Sequence, residues 1–84
     1  MEVNLKLREE FFGIIAKQCK LNDPPETKAA LKRLKEMGYS DFESKQLICQ
    51  CLEIEIFDTL KKGKPYNDKR YRKNLNNLPE EPVE

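Results

Sequence analysis

The sequence predicts an all-α protein: a compact bundle of three main helices with a short fourth helix on the C-terminal side. Three observations predict it. Glycines and prolines divide the chain into four segments. No segment alternates apolar and polar residues with the period of two that a half-buried strand requires. Three segments open on a residue suited to capping a helix, at Asp23, Ser40 and Asn67.

The first helix is expected from about Val3 to Leu21. Leu5, Phe11, Phe12, Ile15 and Cys19 recur at helical spacing, with Lys6, Glu9, Glu10 and Lys17 mostly opposite. Gly13 lies inside it and weakens the helix by about 1 kcal/mol relative to alanine. The second helix is expected to start on Asp23 as cap, with Pro24 at its first position and Glu26 completing a capping box. Thr27, Ala30, Leu31, Leu34 and Met37 form its apolar stripe, and Gly38 ends it in a left-handed conformation. Ser40 and Glu43 form a second capping box, opening a helix that runs to about Lys62 before Gly63 and Pro65. Leu47, Ile48, Cys51, Leu52, Ile54, Ile56, Phe57 and Leu60 spread around most of its circumference, so it is expected at the centre of the bundle. The fourth helix is expected from a cap at Asn67, with Tyr71, Leu75 and Leu78 inward and Pro79 ending it. Residues 1–79 thus form one domain, and 80–84 an acidic tail expected to fray.

Composition narrows the function. The 84 residues suffice for one core. There is no histidine, which removes Ser-His-Asp and Cys-His catalysis and every histidine metal site. No apolar run approaches the roughly 18 residues of a membrane span, and the acidic residue at position 2 does not suit an export signal. Cys19, Cys49 and Cys51 are an odd set with no regular framework, which reads as reduced thiols. The expectation is a cytoplasmic protein without a membrane partner. No motif for a cofactor or metal is present.

Four groups of residues remain as candidates. Cys49 and Cys51 resemble a redox or metal pair, but residues two apart on a helix point about 200° apart, so they read as small core side chains. Glu55 falls inside the apolar arc of the third helix, between Ile48, Cys51, Leu52 and Thr59. A carboxylate there needs a helix terminus, a tyrosine hydroxyl or a basic side chain as partner. A catalytic role would require a pocket shared with Tyr39, Tyr66 or Tyr71. Residues 61–73 hold Lys61, Lys62, Lys64, Lys69, Arg70, Arg72 and Lys73 against Asp68 alone, a net charge of +6. Residues 40–60 carry −4, so the overall charge of +1 hides a dipolar chain. With Tyr66 and Tyr71 interleaved, the basic segment suits either a solvated turn or contact with phosphates and bases. Phe11 and Phe12, finally, exceed what one narrow helix face requires and suit an interface with a second copy.

From residue 23 onward the chain resembles an uncharacterised bacterial family of small helical domains, found alone or at the C-terminus of longer proteins. The matching stretches are Asp23-Pro-Pro-Glu26, Gly38-Tyr-Ser40, Glu55-Ile-Phe-Asp58, Leu60-Lys-Lys-Gly-Lys-Pro-Tyr66, Tyr71 and Leu75-Asn-Asn-Leu-Pro79. They cover about two-thirds of the chain and exclude residues 1–22. The resemblance implies an all-helical bacterial domain and no particular activity. Glu55 and Tyr66 are its polar exceptions, and they are expected to meet if the turn at Gly63–Pro65 folds back along the third helix. The sequence therefore predicts a non-enzymatic interaction or accessory module, with a homodimer or an unidentified protein as partner. The alternative is a nucleic-acid-associated protein using residues 61–73.

Overall fold

The structure, a computed structural model, describes residues 5–83, with side chains from Leu7 to Val83. The expectations for Val3, the Leu5 and Lys6 side chains and Glu84 lie outside the described residues. Four helices follow in order: α1 (Leu5–Leu21), α2 (Pro25–Glu36), α3 (Asp41–Lys62) and α4 (Asp68–Asn77). There is no strand among the described residues.

The helix ends follow from local chemistry. α1 closes on Asn22, in the left-handed region at φ 53°. The Asp23 N–H then donates to the Gln18 carbonyl at 3.0 Å and the Asn22 N–H to that of Cys19 at 3.3 Å. These two bonds satisfy carbonyls that a helix end leaves open. α2 ends in the same way: Gly38 has φ 105°, with Tyr39 donating to Leu34 and Gly38 to Lys35, both at 3.1 Å. The capping box at Ser40 is present in α3, with Ser40 Oγ accepting from the Glu43 N–H at 3.0 Å and Glu43 Oε1 from the Ser40 N–H at 2.9 Å. Asn67 Oδ1 caps α4 by accepting from the Arg70 N–H at 3.0 Å.

The start of α2 differs from expectation. Its N-cap is Pro24, extended at φ −74° and ψ 151°, and no side chain caps it. The cause is the second proline. A residue before proline is driven out of the helical region, so Pro25 keeps Pro24 extended and itself takes the first helical position. Asp23 is thereby displaced from the cap.

The core consists of Phe11 and Ile15 from α1, Ala30 and Leu34 from α2, Ile48, Cys49, Cys51 and Leu52 from α3, and Tyr71, Leu75 and Leu78 from α4 and its end. Both α2 and α3 pack against all three other helices, so the centre expected of α3 alone is shared. Two consequences correct the sequence reading. Phe11 is only 4% exposed and belongs to this core, so it offers no surface to a second chain. Phe12 is half-buried and meets the Phe42 ring edge-on at 5.7 Å. Conversely, Leu60 is 74% exposed because α3 runs past the end of its neighbours' cover, and Met37 lies exposed at the end of α2.

The C-terminal tail is also anchored up to Val83. The Asn74 side chain is buried and donates from Nδ2 to the Val83 carbonyl at 2.9 Å, while its Oδ1 accepts from the Val83 N–H at 3.1 Å. A side-chain amide matches the backbone's donor–acceptor pair, so one asparagine holds this strand of chain twice.

Candidate functional site

Glu55 is 1% exposed, as its place in the apolar arc of α3 implies. Its partners come from α4. Oε2 accepts from Arg70 Nε at 2.7 Å, and Oε1 accepts from Arg70 Nη2 at 3.0 Å and from the Asn67 N–H at 3.1 Å. Arg70 Nη2 also donates to Asp58 Oδ2 at 2.6 Å, and Lys62 Nζ stands 3.4 Å from Asp58 Oδ1. Glu55 thus takes a basic side chain and a helix N-terminus, where the α4 dipole favours negative charge. The guanidinium fork matches a carboxylate's two oxygens, which a lysine could not do. Hydrogen bonds to Glu55 and Asp58 hold the Arg70 guanidinium even more firmly charged than usual, and the Arg70 bond keeps the Asp58 carboxyl below its ordinary range.

The expected Glu55–Tyr66 contact is not formed. Tyr66 instead tilts against the Tyr71 ring at 5.9 Å and stays 47% exposed. The turn does fold back, through Gly63 at φ 63°, but it is the next residue, Asn67, whose backbone reaches the carboxylate. Nor do the three tyrosines gather around Glu55: the Tyr71 hydroxyl donates to Gln18 on α1, and Tyr39 packs half-buried against the core.

The seven cations of residues 61–73 separate into three kinds. Arg70 points inward. Arg72 pairs on the flank of α4, with Nε 2.7 Å from Asp68 Oδ2 and Nη1 3.6 Å from Glu26 Oε1. Lys62 meets Asp58, and Lys61 Nζ lies 5.8 Å from the centre of the Phe57 ring. Lys64, Lys69 and Lys73 are exposed and meet no carboxylate among the described residues. The basic segment is therefore half scaffold and half surface.

A second polar junction went unnoticed in the sequence. Gln18 Oε1 accepts from Thr27 Oγ1 and from the Tyr71 hydroxyl, both at 2.8 Å, joining α1, α2 and α4. Thr27 and Tyr71 are fully buried, and burial pushes the Tyr71 hydroxyl up to about 12. Gln18 stands on the flank of α1, one residue from Cys19, where a glutamine carries no pattern that marks it in the sequence. Nearby, Arg33 Nη2 donates to the Leu75 and Leu78 carbonyls at 2.9 and 3.1 Å, closing the C-terminal end of α4.

Cys49 and Cys51 are both buried and unpaired, and burial pushes each thiol up to about 12. Among the described residues no three acidic or cysteine side chains are placed to hold a metal ion. Among the described residues no helix is long and apolar enough to cross a membrane. On the outer side of α3, Gln50, Glu53, Ile54, Phe57 and Lys61 face the anchored tail at Glu81–Val83 across an open groove of about 870 Å³. No protein-family model, curated protein or solved structure matches the chain.

Proposed function

We propose that the protein is a non-enzymatic interaction or accessory module of the cytoplasm. It binds a segment of a partner protein in the groove between α3 and the C-terminal tail. The observation behind this reading is the pair Ile54 and Phe57, which stay only half-buried at the floor of that groove. Completing the burial of such half-buried side chains contributes roughly half of the 1.5–3 kcal/mol that full burial gives each, an anchor for a partner. The tail that forms the opposite wall is held in place by Asn74, so the groove exists before a partner arrives. Preformed sites bind at lower entropic cost.

Four of the buried polar groups support the non-enzymatic part of the reading by serving the scaffold. Glu55, Thr27, Tyr71 and Asn74 bond to Arg70, Gln18 and Val83, and so hold helices and tail together. The three free thiols suit a reducing compartment.

A photoreactive side chain at Gln50, on the groove wall, tests the proposal in the native cell. A single crosslinked protein, lost on adding Phe57→Glu while the thermal melt is kept, is the expected result. Light scattering identifies a second copy as that protein if the mass doubles and Phe57→Glu halves it. A monomer without any crosslink overturns the reading.

A further inference from the structure

We propose that the corner where α3 meets α4 binds the phosphate backbone of a single-stranded nucleic acid, without reading its sequence. This goes beyond the protein-partner reading and does not rest on it. Glu55 and Asp58 are taken by Arg70, and Asp68 by Arg72. Asp58 also meets Lys62 and Glu26 meets Arg72, so these ion pairs leave the remaining lysines of the segment unengaged among the described residues. Lys64, Lys69 and Lys73 are exposed without a carboxylate partner among the described residues, and Lys61 rests only against the Phe57 ring. Lys69 and Lys73 stand one turn apart on the outer face of α4, and Lys61 and Lys64 flank the end of α3.

Tyr66 lies in the sequence between Lys64 and Lys69 and presents nearly half of its surface to solvent. Its ring leans on buried Tyr71, which holds it in place. An anchored, partly open aromatic ring in a lysine-rich stretch of chain, its hydroxyl beside Asp68, suits base stacking flanked by phosphate contacts.

Two other anionic partners fit less well. An acidic peptide would need an apolar pocket for its anchors, and the groove lies on the outer face of α3, with only Lys61 and Lys62 shared. A membrane surface would need an outward apolar face on α4. Its apolar residues Tyr71 and Leu75 are instead buried, and its outward positions are Asp68, Lys69, Lys73, Asn76 and Asn77.

The experiment is fluorescence anisotropy of the full chain with a labelled twenty-nucleotide oligothymidylate, titrated at several salt concentrations. Four lysine–phosphate contacts give a slope of log affinity against log salt of about −3, or about 50-fold weaker binding between 50 and 200 mM salt. Lys64→Ala with Lys69→Ala is expected to flatten that slope by about 1.4 and to leave the melt unchanged. Tyr66→Ala is expected to weaken binding about tenfold, and Tyr66→Phe to retain it. No binding at low salt overturns the proposal, as does a slope that the lysine pair leaves unchanged. Binding to phosphatidylserine vesicles without binding to the oligonucleotide overturns it in favour of a membrane surface.

Discussion

The Glu55–Arg70–Asp58 junction and the Gln18–Thr27–Tyr71 junction hold the same helix by different chemistry. The first ties α4 to α3 with charges, the second ties it to α1 and α2 with neutral groups. The charged junction opens toward the rim of the bundle: Glu55 is buried, while the Arg70 side chain keeps 20% of its surface. The neutral junction is set between fully buried Thr27 and Tyr71. The arrangement follows from desolvation. An ion pair at the rim keeps part of its hydration, whereas in the core the same pair would cost several kcal/mol per ion, on the order of its attraction. Neutral hydrogen bonds lose far less on burial if every donor finds an acceptor.

The largest expected effect lies in the charged junction. Arg70→Ala leaves a buried carboxylate without its cation and is expected to cost about 3–5 kcal/mol in a urea denaturation series. Replacing both partners, Glu55→Leu with Arg70→Met, is expected to recover most of that loss. A double variant as unstable as Arg70→Ala would show that packing at this corner matters more than charge.

Gln18→Leu comes next. It removes the acceptor shared by the Thr27 and Tyr71 hydroxyls, which then have only each other, and is expected to cost about 1–3 kcal/mol in the same assay. Tyr71→Phe removes one donor while Gln18 keeps Thr27, and about 1 kcal/mol is expected. Equal costs for these two variants would mean that the junction depends on Tyr71 alone.

The smallest effects separate the junctions by pH. Arg70 holds the Asp58 carboxyl below its ordinary 3.8, so its contribution is complete above that pH. It is lost as the pH falls through the lower folded value. The Tyr71 hydroxyl is raised from 10 to about 12 by burial, so its contribution holds below pH 10 and is lost as the pH rises toward 12. Melting temperatures across this range are expected to fall at the acid end less steeply in Arg70→Ala, and at the alkaline end less steeply in Tyr71→Phe. Identical curves for wild type and both variants would overturn the assignment.

Much of this was legible in the residues. Glu55 stood out because a carboxylate inside an apolar arc has to find a partner, and both kinds of partner it found had been anticipated in chemistry. Which cation would serve was not legible, because Arg70 looks like any other member of a basic run until α4 turns it toward α3. Gln18 was missed because a glutamine on a helix flank carries no pattern of its own. The cap of α2 falls on Pro24 and not on Asp23 because Pro25, also present in the sequence, holds Pro24 extended.

Local chemistry along the chain is enough for the four helices, the capping at Ser40 and Asn67, the turns at Gly38 and Gly63, and most of the core. Those features depend on residues within a few positions of one another, where propensity, periodicity and backbone sterics act directly. Packing between the helices settled that Phe11 turns inward, that Leu60 does not, and that Asn74 captures the tail. It also decided which of seven cations face solvent. These outcomes depend on how far one helix extends past its neighbours and where another helix begins, and such distances are set by the packing of the whole bundle.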